Sequence, residues 1–196
     1  ALVKARTANS KIIAVAKSNA YGHGLFEFSK NVLEAGANWI GVDSVVEALA
    51  LRERGIAAPM LVMGYVLPER LEDASAHDIA ITISSFEGLY AAEVVGKPLR
   101  VHIKIDTGLG RQGFLAEEID ELLKKLSTIA EHKKIIIEGL YTHFADAKDK
   151  AGEAYSLKQI AIFEEVSRKF VEAGYVPLTH IHASPGLLRY FGKIPG

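Results

Sequence analysis

The sequence predicts an α/β protein of the (β/α)8, TIM-type barrel class, shortened to about seven βα units. Three observations predict it. Seven short runs rich in Ile and Val alternate with helical patterns along the whole chain. The runs are nearly continuous in hydrophobicity rather than alternating, as parallel strands covered on both faces are. No Gly-x-Gly-x-x-Gly follows the first run, which weighs against an open dinucleotide-binding sheet. A typical barrel needs about 250 residues. At 196 residues the chain is read as most of a barrel, without its eighth strand.

The predicted strands are Lys11–Lys17, Trp39–Val42, Pro59–Tyr65, Ile79–Ser84, Leu99–Asp106, Ile135–Phe144 and Leu178–Ser184. Residues 1 to 10 read as the end of a helix or a lead-in. Between the strands, Leu25, Phe28 and Val32 fall three and four apart, and Gly36 closes that helix. Ser44 is the expected N-cap of a second helix, with Glu47 completing a capping box and Gly55 ending it. Pro68 suits a first-turn position before Leu71 and Ala74. Ser84 or Ser85 opens a fourth helix that ends near Gly96. Ile119, Leu122, Leu123, Leu126, Ile129 and Ala130 form the apolar stripe of a fifth. A sixth runs from about Ser156 to Ala173, with Ile160, Phe163, Val166 and Phe170 on one face and Gly174 after it. Pro185 opens a last short turn reaching Tyr190.

Composition bounds the function. The chain is 49% hydrophobic, with 23 basic against 24 acidic residues, and no basic cluster longer than a pair. That balance gives no footprint for nucleic acid or an anionic membrane. The absence of cysteine excludes disulfides, thiolate catalysis and Cys-based metal sites. No apolar run approaches the roughly 20 residues of a membrane span, and the N-terminus does not read as a signal peptide. A soluble, cytoplasmic protein is expected.

Barrel enzymes place their chemistry at the C-terminal ends of strands. There the sequence puts Lys17 and Tyr21, Asp43, Lys104 and Asp106, the loop Thr107-Gly108-Leu109-Gly110-Arg111, His143, and then His180, His182 and Ser184. A lysine closing an apolar strand is partly desolvated, and desolvation favours the neutral, nucleophilic amine. The glycines of Tyr21-Gly22-His23-Gly24 let backbone amides approach an anion. Lys104 has two open readings, an ion pair with Asp106 or a buried amine facing inward. Arg111 offers a planar fork suited to a carboxylate or a phenolic oxygen. His143, flanked by Tyr141 and Phe144, is either a packed core group or a stacking partner for a planar ring. His180 and His182 share a strand face, but no third ligand is evident and no metal is expected.

Several separated motifs resemble one family. Ala14-Val-Ala-Lys17-Ser-Asn-Ala-Tyr21-Gly-His-Gly24 resembles the pyridoxal-phosphate lysine signature of bacterial alanine racemases. Val101-His-Ile-Lys104-Ile-Asp-Thr-Gly-Leu-Gly-Arg111 is similar to that family's second motif, and Glu138-Gly-Leu-Tyr-Thr-His143-Phe144 to its third. Gly41 to Glu53 matches its second βα unit. The resemblance covers essentially the whole chain.

The resemblance implies a racemase interconverting L- and D-alanine through a pyridoxal 5'-phosphate aldimine, supplying D-alanine for peptidoglycan. Lys17 would carry the cofactor and serve as one of two bases. Tyr21 and Ser184 would hold its phosphate, and His143 would pack on its ring. Lys104, often carbamylated in this family, would orient Arg111 near the cofactor's phenolic oxygen and the substrate carboxylate. Alanine is the implied small-molecule partner, a homodimer the implied assembly, and no nucleic acid or membrane is involved. The family's asparagine before the serine is replaced by Ala183, preceded here by His182, so one hydrogen bond near the cofactor is in question. The expected domain plan is a barrel portion over 1–196, with the family's eighth-strand arginine and its C-terminal β-domain, which carries a second catalytic tyrosine, lying beyond it. These residues alone are therefore expected to racemise little. The alternative reading is a single-domain pyridoxal-phosphate-binding homeostasis protein, which needs no second base. A decarboxylase of the same barrel type ranks behind both.

Overall fold

The computed structural model describes residues 10–130, 135–148, 150–182 and Gly186. All seven predicted strands are present: β1 Ile13–Val15, β2 Trp39–Val42, β3 Met60–Val62, β4 Ala80–Ile83, β5 Leu99–Lys104, β6 Ile135–His143 and β7 Leu178–His182. They are ordered in the sheet as in the sequence. Parallel registers include Ile13 opposite Trp39, Ile40 opposite Met60 and Leu61 opposite Ala80. Sequential parallel order with intervening helices is the βα alternation of the TIM-type fold. The residues of β2, β3 and β4 are buried throughout, the physical basis of their unbroken hydrophobicity.

The helices are α1 Leu25–Glu34, α2 Val45–Glu53, α3 Leu71–Ala76, α4 Phe86–Glu93, α5 Ile119–Ala130 and α6 Glu153–Glu172. Single 3-10 turns at Pro68–Arg70 and Ala116–Glu118 lead into α3 and α5. The expected glycine stops hold for α1, α2 and α6. Gly36, Gly55 and Gly174 all take positive φ, and the next residue's N–H reaches back to Val32, Leu51 or Phe170, the Schellman closure. Two boundaries differ from expectation: α4 ends at Glu93 rather than near Gly96, and α6 starts three residues before Ser156. The turn expected from Pro185 to Tyr190 lies outside the described residues, except for Gly186.

The chain divides into two compact units. One comprises residues 1–82 with 91–100, the other 83–90 with 101–196. The first holds a cluster of Trp39, Leu61 and Ala80 flanked by Ile13 and Met63. A Cβ on Gly41 would lie 2.9 Å from Met63 Sδ, so glycine is what lets β2 sit under its neighbours' side chains. In the second, Phe144, Ala147 and Ile160 pack with Ile181. Ile119, Leu122, Leu126 and Ile129 of α5 are buried, as are Ile160, Phe163, Val166 and Phe170 of α6, in agreement with the stripes read from spacing.

Candidate active site

Lys17 lies two residues beyond β1, not at its last position. The chain leaves the strand through Ala16, whose N–H donates to Gly41 O at 2.7 Å, and enters a single turn over Lys17–Tyr21. That turn is left-handed. Ser18, Asn19, Ala20 and Tyr21 have φ between 52° and 55°, each an arrangement that costs an L-residue roughly 1–2 kcal/mol. Only asparagine among them tolerates it readily, so the surroundings must hold it.

Asn19 is the hub of that restraint. Its C=O accepts from Gly22 and Gly24 at 3.0 and 3.1 Å, and its side-chain Oδ1 accepts from Leu25 N at 2.8 Å, capping α1. Its own N–H donates to Glu47 Oε1 at 3.2 Å. Ala20 is fully buried and anchors the turn, whereas Tyr21 is 63% exposed. Lys17 is half-buried, and among the described residues its amine has no carboxylate partner. A Cβ at Gly22 or Gly24 would meet nothing within 4 Å, so space adjoins this loop.

In the second unit, β5 delivers Lys104, which is 2% exposed and has its ammonium 5.7 Å from the centre of the Tyr141 ring. Asp106 follows the strand instead of ending it. The segment after it is a closed excursion: Asp106 N donates to Phe114 O, and Phe114 N to Lys104 O, both at 2.9 Å. Inside the excursion, Asp106 Oδ1 accepts from Gly108 and Gly110 at 2.9 and 3.1 Å, and Oδ2 from Arg111 N at 3.0 Å. Burial works to raise the Asp106 pKa, but hydrogen bonds from the Gly108, Gly110, Arg111 and Leu109 amides outweigh it and hold the carboxyl below its usual value. The carboxylate thus templates the loop that carries Arg111. Arg111 itself is exposed, and its guanidinium has no ion-pair partner among the described residues.

A buried polar group braces the same loop. Gln159 of α6 is fully buried; its Nε2 donates to Thr107 Oγ1 and His143 O, each at 3.1 Å, and its Oε1 accepts from Ala145 N at 3.0 Å. Thr107 also bonds Thr142 hydroxyl to hydroxyl at 2.9 Å, and Tyr155 donates to Gly108 O at 2.7 Å. The ends of β5 and β6 are therefore tied to one helix. Sequence reading missed Gln159, and it gave Glu47 no role beyond the capping box of α2. The signal for Gln159 was present, because positions 156, 159, 160 and 163 continue the apolar stripe of α6. A glutamine on a buried stripe must find partners.

Deeper in the second unit, His102 Nδ1 of β5 lies 2.8 Å from His180 Nε2 of β7, and the His180 ring stacks on Tyr141 of β6 at 4.7 Å and 6°. Burial pushes the His102 pKa down to about 4, so His102 is neutral near pH 7, and of the two facing ring nitrogens one donates and the other accepts. His180 is thus engaged in packing, and among the described residues no group of three or more His, Cys, Asp or Glu is placed to hold a metal. Half-buried His143 ends β6. Of the expected site residues, Lys17 and Tyr21 fall in the first unit, and Lys104, Arg111 and His143 in the second. Ser184 and Ala183 lie outside the described residues.

Comparison with known proteins gives one answer. The profile of the family described as alanine racemase, N-terminal domain, matches residues 1–194. An alanine racemase of Methanococcus maripaludis is 41% identical over 185 residues, covering 91% of this chain and 48% of the relative. Alanine racemase 1 of Oceanobacillus iheyensis is 37% identical over 177 residues, covering 87% and 46%. The solved alanine racemase of Bacillus anthracis with bound L-Ala-P superposes with a TM-score of 0.89 at 35% identity, covering 97% of this chain and 50% of that one. The chain spans about half the length of the relatives it matches.

Proposed function

The chain belongs to the alanine racemase N-terminal domain family, and from that premise we propose that it supplies the cofactor-bearing half of a pyridoxal-phosphate-dependent alanine racemase. The observation that carries the reading is Lys17: a half-buried amine with no acidic partner among the described residues, held at the start of a restrained left-handed turn beside two open glycines. The donor set fits the cofactor, which takes an amine for its aldehyde, amide and hydroxyl donors for its phosphate, and a planar neighbour for its ring.

When bound, pyridoxal phosphate supplies an electron sink that acidifies the α-hydrogen of an attached amino acid. The protein's part is attachment, orientation and proton movement. Lys17 Nζ would hold the cofactor and would move the α-proton on one face of the substrate. The hydroxyls of Tyr21 and Ser184 would donate to the phosphate, and His143 would pack on the ring. Arg111 grips the alanine carboxylate through its planar fork, on a loop that Asp106 and Gln159 hold in place. Lys104 would carry a carbamate: its ammonium gives up one proton, the neutral amine bonds the carbon of carbon dioxide, and the nitrogen loses a second proton. That replaces a buried cation by an anion able to orient Arg111, and avoids the cost of burying an ammonium. A cytoplasmic homodimer making D-alanine for peptidoglycan completes the proposal.

The test is covalent trapping. Incubation with pyridoxal phosphate followed by borohydride is expected to fix the cofactor on Lys17, with the visible absorption band absent in Lys17→Ala. Fixation on another lysine overturns the assignment. For Arg111→Lys in the full protein, KM for alanine is expected to rise roughly tenfold, since a point charge replaces a bidentate fork; an unchanged KM removes Arg111 from carboxylate binding.

A further inference from the structure

We propose that Glu47 is a positioning residue for Lys17, holding the left-handed turn in the conformation that presents the amine. The inference rests on the reading of Lys17 as the cofactor-bearing residue. Four consecutive non-glycine residues in the left-handed region do not persist through local preference. Among the described residues, the side chain that straps the turn Lys17–Tyr21 to the rest of the fold by a hydrogen bond is that of Glu47. Its Oε1 accepts from Asn19 N at 3.2 Å, and its Oε2 accepts from Asp43 N at 2.8 Å. Ser44 Oγ accepts from Glu47 N at 3.3 Å, which fixes the first turn of α2 from which the carboxylate extends. A carboxylate in a helical first turn is also favoured by the helix dipole.

The spacing Ser44-x-x-Glu47 has the form of a capping box, but the glutamate does not close it on Ser44. It spends both oxygens on the residue before the cap and on the turn 28 residues upstream. The consequence is directional. Asn19 is held through its N–H by Glu47, while its carbonyl and side chain organise Gly22, Gly24 and Leu25. Without Glu47 the Asn19 N–H has no charged acceptor, and the turn is free to relax towards the right-handed or extended regions, carrying Lys17 with it.

The experiment compares wild type, Glu47→Gln, Glu47→Ala and Glu47→Ala combined with Ser18→Gly in the full protein, first free of cofactor. Amide hydrogen exchange at Asn19 is read beside the acylation rate of Lys17 relative to Lys11, using an amine-reactive ester. Loss of a charged acceptor is expected to speed Asn19 exchange about tenfold or more in Glu47→Ala, with a changed Lys17 to Lys11 ratio and unchanged protection in α6. Glu47→Gln, which keeps one acceptor, falls between. Ser18→Gly recovers part of the loss, because glycine enters the left-handed region without steric cost. On adding pyridoxal phosphate, fixation on Lys17 is expected to slow in the same order. Wild-type exchange and labelling in Glu47→Ala, or a loss of protection spread equally over all amides, overturns the proposal. If wild type itself forms no band with the cofactor, the proposed function fails, while the exchange result still decides whether Glu47 holds the turn.

Discussion

His102 shows how one residue sets a pH limit on the fold. It is 1% exposed and its pKa is held at about 4 by burial, against about 6.5 in an unfolded chain. Between those values the unfolded state binds a proton that the folded state refuses, so stability rises with pH through this window and falls as pH drops from 6.5 towards 4. The depression corresponds to on the order of 3 kcal/mol across the window. Urea unfolding at pH 7 and pH 4 is expected to show that loss in wild type and a shallower loss in His102→Gln, whose unfolded side chain does not titrate. Equal losses in the two proteins sink the assignment. The same ring explains Gly139, where a Cβ would overlap the His102 imidazole. Gly139→Ala is expected to destabilise by about 1–3 kcal/mol, as overpacking does, read as a lower urea midpoint.

At the scale of the element, what the sequence disclosed and what it hid follow a physical division. Strands and helix stops were legible because they rest on local rules: hydrophobic runs for β2 to β4, glycine after α1, α2 and α6, serine before α2. The left-handed turn was not legible. Ser18, Ala20 and Tyr21 have no preference for that conformation, and the groups imposing it come from α2. Glu47 was read as half of a capping box because spacing along a helix says nothing of an amide 28 residues away. For the same reason Lys104 stayed ambiguous from period-two alternation; in the structure the Asp106 carboxylate serves the loop amides. Gln159 gives the element-scale prediction. Gln159→Met keeps the volume but strips partners from His143 O and Ala145 N and one of two from Thr107 Oγ1. Lost hydrogen bonds and newly unsatisfied buried groups together are expected to cost about 3 kcal/mol. A urea midpoint within error of wild type excludes Gln159 as the brace of the Arg111 loop.

At the scale of the molecule, the question is how much of a racemisation this chain can carry. Inverting an α-carbon requires a proton to leave on one face and another to arrive on the opposite face, which suits two bases placed on either side. In the proposed function one of them, Lys17, belongs to this chain, and the relatives are about twice as long as the portion it matches. A single base that removes and returns a proton on one face exchanges hydrogen without changing configuration. The polypeptide of these 196 residues, loaded with pyridoxal phosphate in deuterium oxide, is therefore expected to replace the α-hydrogen of one alanine enantiomer by deuterium while leaving it unracemised. Proton NMR follows the exchange and chiral chromatography the configuration. Exchange should vanish in Lys17→Ala. A cofactor-binding homeostasis protein would load the cofactor yet exchange nothing with alanine. Racemisation keeping pace with exchange would mean that the second base lies within these residues after all, and that Lys17 does not act as the single base of this portion.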